Sequence, residues 1–376
     1  MRLGFVKSKI MKQNNTTSRR SFIKTAGTIA LGASVIPVPN ILFRKPKDKL
    51  GVALVGLGYY STDLLGPALK LTEQCYLAGI VTGSPWKIPI WQKKYDIPDE
   101  NVYNYENMNQ IESNPDIDIV YIVLPTGLHS KYSIIAANAG KHVWCEKPMA
   151  RTVSECQDII DACKKNKVKL SIGYRMQHEP NTQTIISFGE ERAYGKVKTL
   201  QAEAGYYEGR SNHWKQIKEL GGGALYDMGV YPINAARYVT GEDPIAVYQA
   251  RHVTKRPQIY HEVDETTYFT MEFPSGAIAN CATSFNLGMN RLHVDCERGW
   301  YNLEPFQAYS GIYGTTSDGR ILEKQIPNQQ AKQMDDDALA IKQNQDVLVP
   351  GEDGLKDIQI VEAVYRSARL GARVEL

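Results

Sequence analysis

The chain has 376 residues, of which 43% are hydrophobic and 23% are charged. This is the composition of a globular protein, so collagen-like, wholly disordered and disulfide-scaffold classes are excluded, and the length suggests two or three domains. The formal charge of +3 is unevenly placed: residues 1–50 hold eleven Lys and Arg with one acid, whereas the remaining 326 residues hold 33 basic and 40 acidic side chains. Because the body of the chain is acidic, bulk attraction to nucleic acid is excluded.

A twin-arginine pattern, Arg19 and Arg20, stands in the basic segment and is followed by a weakly apolar run over residues 25–38. A positive segment before a short apolar one is typical of an export signal, and paired arginines indicate the twin-arginine route. The alternative is a disordered basic tail. Residues 1–49 are therefore predicted to be a signal and arm that engage the twin-arginine machinery and direct the protein to the periplasm. The signal is either removed or kept as a membrane attachment.

Residues 50–55 form a continuous apolar run, which predicts a parallel strand buried on both faces. A glycine-rich turn and a helical pattern follow at once. This order predicts a dinucleotide site, in which the first glycine permits the tight turn, the second admits a pyrophosphate, and Ser61 is the small residue at the helix–strand contact. The residues of the turn that are expected to bind the dinucleotide are Gly56, Leu57, Gly58, Tyr59 and Tyr60.

The next predicted strand, residues 76–81, ends in Thr82, Gly83 and Ser84, with Lys87 shortly after. An NAD site usually has Asp or Glu at this strand end, where the carboxylate binds the ribose 2′-hydroxyl. Here hydroxyl groups and a cation replace the acid, and that combination suits a 2′-phosphate. The sequence therefore favours NADP over NAD as the cofactor. The alternative is that these residues only cap the next helix.

Two more predicted strands, residues 117–124 and 142–145, are each followed by a loop. Alternating strands and helices imply a doubly wound parallel sheet, whose crevice lies at the carboxyl ends of the strands. Residues 50–172 are therefore predicted to be a Rossmann-type NAD(P)-binding domain. The loop residues predicted to line its cofactor site are Leu124, Pro125, His129, Glu146 and Lys147.

Beyond residue 173 the pattern changes to long β-like stretches that regular helices do not separate. They cover residues 196–206, 246–254, 265–273, 277–285 and 291–303. Residues 173–376 are therefore predicted to form an α+β domain for substrate binding and oligomerisation, with a large, mostly antiparallel open sheet. The predicted fold class is α/β, with the Rossmann-type parallel sheet first and this domain second.

Glu146-Lys147-Pro148 after a strand, together with the early glycine turn, resembles the Gfo/Idh/MocA oxidoreductase family. The stretches that carry the resemblance are VGLGYY, VTGSPWK, VYIVLPTGLHSKYSIIAANAGKHVWCEKPMA, SIGYR, GGGALYDMGVYPINAARYVTGEDP and PGEDGLKD. They are most similar to the glucose–fructose oxidoreductase branch, in which NADP is tightly held. The resemblance implies an NAD(P)-dependent oxidoreductase that acts on CH–OH groups of sugars, and a homo-oligomer, dimer or tetramer, assembled through the C-terminal sheet.

By the same resemblance Lys147 and Tyr231 lie beside the nicotinamide, with Asp227 close to them. Oxidation of a sugar hydroxyl requires a group that accepts a proton while the hydride leaves. We assign Tyr231 to that proton transfer, Lys147 to electrostatic support and Asp227 to orienting the substrate, with the first two roles exchangeable. Burial and the nicotinamide charge are expected to lower the pKa of Lys147, with Asp227 opposing the shift.

Four further residues are candidates for contact with the sugar: Tyr174, Arg175, His213 and Trp214. Arg175 is also expected at the cofactor. The alternatives are a surface role for His213 and a core role for Trp214. The cysteines and histidines show no metal-ligand spacing, so no metal site is predicted. Two other functions remain open, an NAD-dependent glycosidase or glycoside 3-dehydrogenase of the same superfamily and a non-catalytic sugar-binding protein.

Overall fold

The computed structural model describes residues 47–376. The twin-arginine pattern and its apolar run lie outside the described residues. None of the helices within residues 47–376 is long and apolar enough to cross a membrane.

The first sheet is built from six short strands. They are β1 Leu50–Val55, β2 Cys75–Val81, β3 Val102–Tyr103, β4 Ile119–Ile122, β5 His142–Cys145 and β6 Leu170–Ile172. All are parallel, in the order β3-β2-β1-β4-β5-β6. The order reverses between β1 and β4, and such a reversal opens a crevice at the carboxyl ends of the strands. The predicted doubly wound parallel sheet is confirmed.

Four helices accompany this sheet. They are α1 Gly66–Leu69, α2 Ile88–Tyr95, α3 His129–Asn138 and α4 Val153–Asn166. A π-helical turn, Tyr60–Leu65, leads into α1. The sequence defines both ends of α4, since the Thr152 side chain accepts a hydrogen bond from the Glu155 amide and Lys167 adopts a left-handed conformation. Cys156 and Cys163 share the buried face of this helix, as their spacing of seven indicates.

The second sheet has seven strands. They are β7 Val197–Gly205, β8 Ala246–Val253, β9 Thr266–Glu272, β10 Ile278–Ser284, β11 Met289–Cys296, β12 Gly299–Leu303 and β15 Val374–Glu375. Two short strands, β13 Gly314–Thr315 and β14 Ile321–Leu322, pair separately from this sheet. Its order is β12-β11-β7-β10-β9-β8-β15. Only the β7–β10 pair within this sheet is parallel, so the predicted mostly antiparallel sheet is confirmed.

Residues 291–303, predicted as one strand, are instead the hairpin of β11 and β12. The chain reverses at Glu297 and Arg298, directly before Gly299 with φ of +155°. A Cβ at Gly299 would lie 2.2 Å from Ser317 Oγ, so only glycine fits this turn.

Four more helices pack against the second sheet or between the two sheets. They are α5 Pro180–Glu190, α6 Val230–Thr240, α7 Gln329–Lys342 and α8 Gly351–Leu370. A second π-helical turn, Leu225–Gly229, precedes α6. One continuous hydrophobic core includes Val120 of the first sheet and Phe269 of the second. The site therefore lies on a single packed body.

Candidate active site

The glycine turn after β1 has the geometry that its sequence predicts. Gly56 has φ of +92°, and a Cβ there would lie 2.4 Å from the Val123 carbonyl oxygen. The Ser61 hydroxyl donates to the Gly56 carbonyl at 2.6 Å, which ties the start of the helical segment to the turn. A Cβ at Gly58 would meet no protein atom within 4 Å, so open space remains beside the turn. Leu57 is buried and Tyr59 is exposed.

The end of β2 lies against this turn. The buried Thr82 hydroxyl accepts a hydrogen bond from the Ser84 amide at 3.1 Å, and Gly83 packs against Tyr105. The Lys87 ammonium donates to the Leu57 carbonyl. The predicted 2′-phosphate residues and the predicted pyrophosphate turn are therefore neighbours in the structure.

His129 joins two loops of the crevice. Its Nδ1 lies 2.9 Å from the Pro148 carbonyl oxygen, and its Nε2 lies 2.8 Å from the Leu124 carbonyl oxygen. Burial lowers the pKa of His129. Since both ring nitrogens face protein carbonyls, the structure gives His129 the role of holding Leu124 and Pro125 beside the loop that follows β5.

Glu146 is buried and its oxygens point into the protein. Oε1 accepts a hydrogen bond from the Tyr121 hydroxyl at 2.6 Å, and Oε2 accepts one from the Lys147 amide at 3.2 Å. Burial raises the pKa of Glu146. The carboxyl group therefore anchors the backbone that presents Lys147.

Lys147 and Asp227 meet across the crevice. The Lys147 ammonium donates to the Asp227 backbone carbonyl at 2.7 Å and lies 3.5 Å from Asp227 Oδ1. It also lies 4.6 Å from the centre of the Tyr231 ring. The three predicted catalytic residues are thus brought together, one from the loop after β5 and two from the π-helical turn and the first turn of α6.

The pKa of Lys147 does not move in the direction that the sequence predicts. Burial alone would lower it, but Tyr231, Asp227 and Glu146 outweigh burial and raise it. The expected effect of burial was wrong, because Tyr231 and the Asp227 and Glu146 carboxylates surround the ammonium, whereas the effect of the nicotinamide charge stays a prediction. Lys147 is therefore a cation across the neutral pH range.

Arg175 lies on the other side of Tyr231. Its guanidinium carbon is 5.8 Å from the centre of the Tyr231 ring and 4.7 Å from that of Tyr309. The Tyr309 ring in turn lies 6.1 Å from the Tyr60 ring of the glycine turn. Arg175 is buried, and its Nε has no hydrogen-bond acceptor among residues 47–376. A buried donor without an acceptor is a position that a ligand oxygen can satisfy.

Sequence reasoning missed Lys215, Tyr206 and Tyr309. Lys215 donates to Asp227 Oδ2 at 2.6 Å and to the Tyr206 hydroxyl at 2.8 Å. Lys215 lies in a short 3₁₀ turn and Tyr309 in an irregular segment, and neither carries a periodic pattern. The available signal for Lys215 was its position beside Trp214, shortly before the glycine run.

Of the remaining predicted sugar contacts, His213 and Trp214 adjoin the site and Tyr174 does not. His213 and Trp214 are half-buried beside Lys215, with ring centres 5.8 Å apart. Tyr174 is only 1% exposed, and its hydroxyl faces the buried Asp357 carboxylate. The structure therefore gives Tyr174 a packing role beside Asp357 of α8.

No group of three or more His, Cys, Asp and Glu side chains among the described residues could hold a metal ion. The six cysteines are unpaired, and five of them are buried.

Comparison with known proteins identifies the family. A model described as "Oxidoreductase family, NAD-binding Rossmann fold" matches residues 50–174, and the GFO/IDH/MocA C-terminal domain model matches residues 182–302. The crystal structure of aldose-aldose oxidoreductase from Caulobacter crescentus, complexed with glycerol, is 40% identical with a TM-score of 0.84, and the match covers 87% of this chain and 100% of that one.

Two other relatives are more distant. D-xylose 1-dehydrogenase [NADP(+)] of Haloarcula marismortui is 26% identical over 336 residues, which are 86% of this chain and 92% of that protein. A levoglucosan dehydrogenase in complex with NADH and levoglucosan is 21% identical with a TM-score of 0.76, covers 87% of this chain and 98% of its own, and shows the fold alone. The two matching domain models and the Caulobacter relative show that the chain belongs to the Gfo/Idh/MocA family and is an NAD(P)-binding oxidoreductase.

Proposed function

We propose that the protein is an NADP-dependent sugar oxidoreductase, which transfers a hydride between a CH–OH carbon of a sugar and the nicotinamide. The observation that carries this proposal is the meeting of Lys147, Asp227 and Tyr231 at the edge of the parallel sheet that also bears the glycine turn. The relatives named for xylose and for aldoses support a sugar as the substrate.

The residues of the site fit a dinucleotide. Open space beside Gly58 can take the pyrophosphate, and Thr82, Ser84 and Lys87 can hold a 2′-phosphate. When bound, the cofactor supplies the hydride acceptor, and the chain supplies binding, orientation and proton transfer. The absence of an acid at the end of β2 and the NADP(+) named for the Haloarcula relative both favour NADP over NAD.

Tyr231 is the proposed proton-transfer group. Its hydroxyl takes the proton of the sugar hydroxyl during oxidation and returns one to the carbonyl during reduction. Lys147 stays charged and stabilises the negative charge that develops on the phenol oxygen, and Asp227 holds Lys147 while orienting the substrate. Burial raises the pKa values of the neighbouring Tyr60 and Tyr309, so these two phenols remain neutral.

The test is an absorbance measurement near 340 nm on the purified protein with NADP and a panel of aldoses and ketoses. We expect sugar-dependent reduction of NADP, and oxidation of one sugar with reduction of another if the cofactor stays bound through the cycle. Tyr231→Phe should lower kcat by about 10²–10⁴-fold because it removes proton transfer, while NADPH affinity stays unchanged. Tyr313→Phe, at an exposed tyrosine, is the matched control.

Three outcomes would contradict the proposal. Cleavage of a glycoside without net change in NADPH would indicate the glycosidase alternative. Sugar binding without turnover would indicate a binding protein. Full activity in Tyr231→Phe would show that another group transfers the proton.

We also propose a homo-oligomer that assembles through the outer face of the second sheet. On this face the half-buried His293 and Trp300 rings lie 5.4 Å apart, and the exposed Arg251 lies over the half-buried Tyr268 ring at 4.5 Å. Aromatic residues and Arg are enriched in protein interfaces. Light scattering should give the molar mass of a dimer or tetramer for the wild type. Trp300→Glu should lower this mass towards that of the monomer, and a monomeric wild type would contradict the proposal.

We further propose export to the periplasm by the twin-arginine route, with Arg19 and Arg20 as the support. Replacing both arginines by lysine should retain the protein in the cytoplasmic fraction of the producing cells. An unchanged distribution between the fractions would contradict export by this route.

A further inference from the structure

Lys215 contacts the Asp227 carboxylate more closely than Lys147 does. Its ammonium lies 2.6 Å from Asp227 Oδ2, whereas the Lys147 ammonium lies 3.5 Å from Oδ1. The two lysines approach from different segments, one from the loop after β5 and one from the 3₁₀ turn Trp214–Gln216. The Asp227 carboxylate is therefore contacted by two ammonium groups, one at each oxygen.

The Lys215 ammonium is held by its surroundings. It lies 5.2 Å from the centre of the Tyr206 ring and 5.8 Å from those of Trp214 and Phe285. Its side chain is 17% exposed. These three rings limit where the ammonium can move.

An ammonium has three N–H donors. Lys215 donates one N–H to Asp227 Oδ2 and a second to the Tyr206 hydroxyl. Its third N–H has no hydrogen-bond acceptor among the described residues. A donor in this position, beside the carboxylate that Lys147 also contacts, is available to an oxygen of a bound ligand.

The pairing also affects Lys147. Because Lys215 neutralises the Asp227 carboxylate at the shorter distance, the nearest acceptor of Lys147 is the uncharged backbone carbonyl of Asp227, at 2.7 Å. The positive charge of Lys147 thus remains effective at the Tyr231 ring, 4.6 Å away.

We propose that Lys215 is a sugar-binding and positioning residue, which fixes the ionised Asp227 between two lysines and donates its third N–H to a sugar oxygen. This inference rests on the proposed function. It assigns to the sugar site a residue outside the three that the family resemblance indicates.

The inference predicts a change in the pH profile. The charged and titratable groups that face Asp227 are Lys147, Lys215, Tyr206, His213 and, beyond Tyr206, Glu208. Burial alone would raise the pKa of Asp227, but Lys215 and then Lys147 lower it to about 2. The carboxylate is therefore ionised throughout the usual assay range, and loss of Lys215 raises its pKa.

The experiment compares Lys215→Met with Lys215→Arg, which keeps the charge, and with Lys218→Met, at an exposed lysine nearby. Lys215→Met should raise KM for the sugar by about tenfold or more, the usual effect of losing a hydrogen bond to a charged group. It should also create a new acid limb in kcat/KM as Asp227 becomes protonated. Lys215→Arg should show no such acid limb. Lys218→Met should keep the wild-type KM and pH profile, and all three variants should keep the wild-type NADPH affinity. Lys215→Gln replaces Lys215→Met if that variant does not fold.

A Lys215→Met enzyme with the wild-type KM and pH profile would overturn the inference while leaving the proposed function intact. A wild type without sugar turnover would instead overturn the proposed function. In that case the urea unfolding midpoints of Lys215→Met, Asp227→Asn and the double variant test the pairing, and strictly additive shifts would overturn it.

Discussion

Lys147 illustrates how an ionisable side chain takes its chemical role from its neighbours. A buried lysine in apolar surroundings loses its proton readily and can serve as a base. Here the Asp227 carbonyl lies 2.7 Å from the ammonium and the Tyr231 ring centre 4.6 Å, and the pKa is raised instead. This difference supports the proposal that Tyr231 transfers the proton while Lys147 acts as a fixed charge.

Lys87 offers a test of the cofactor assignment at the level of one residue. Lys87→Ala should weaken NADPH binding by about tenfold or more, since a charge-assisted contact with the 2′-phosphate is lost, and should change NADH binding much less. Fluorescence titration with both reduced cofactors measures the ratio. Lys93→Ala, on α2, is the control, and an equal loss for NADPH and NADH in Lys87→Ala would contradict the assignment.

The site residues that could be predicted are those in the stretches that resemble the family. Lys147 lies in such a stretch directly after β5, and Asp227 and Tyr231 share another. Lys215 could not be predicted, because nothing in a 3₁₀ turn indicates which distant carboxylate it will meet. The difference between Tyr174, which meets Asp357, and Arg175, which meets Tyr231, could not be predicted either, because both partners are distant in sequence.

At the scale of the element, the glycine turn separates a requirement for folding from one for binding. Gly56→Ala should destabilise the protein by roughly 1–3 kcal/mol, because φ is +92° and the Cβ would lie 2.4 Å from a carbonyl oxygen. Gly58→Ala should leave stability almost unchanged, since its Cβ meets no protein atom within 4 Å, yet should weaken NADPH binding by filling the space for the pyrophosphate.

Urea unfolding and NADPH titration of the two variants measure these effects. Gly241→Ala is a second control, since Gly241 also has a positive φ, of +67°, but has open space around it. Loss of stability in Gly58→Ala with normal cofactor binding would contradict the interpretation of the turn.

Most elements of the fold could be predicted because apolar runs and stop signals are local. The predicted strand over residues 76–81 differs from β2 by one residue, and the predicted strand over residues 142–145 coincides with β5. The hairpin at residues 297–299 was missed because its glycine is required by a contact with Ser317, which is distant in sequence. The strand β15 was missed because two residues carry no periodicity.

At the scale of the whole molecule, a buried carboxyl group makes stability depend on pH. Asp337 of α7 accepts a hydrogen bond from Ser171 of β6 at 2.7 Å, and its other oxygen has no hydrogen-bond partner among residues 47–376. Burial raises the pKa of Asp337 to about 6, above the value of 3.8 for an exposed group. The folded protein thus binds this proton more tightly than the unfolded chain does. The contribution of this carboxyl group to the free energy of unfolding therefore falls as pH rises from about 4 to above 6.

Asp337→Asn should therefore be more stable than wild type at pH 8, by roughly 1–3 kcal/mol, and the difference should vanish towards pH 4. Urea unfolding across this range measures it. The exposed Asp346→Asn provides the control. A constant difference at every pH would show that Asp337 titrates normally in the folded protein.

The position of α8 has a consequence for the order of folding. Pro350, just before this helix, bridges Ser171 of β6, and Gly351 and Gly354 pack against Leu170 and Ile172 of the same strand. The edge of the first sheet is thus completed by residues almost 180 positions later in sequence, and such distant contacts form slowly. During synthesis these contacts at the β6 edge can form only after the start of α8 has left the ribosome, so this edge is the last part of the first sheet to be covered.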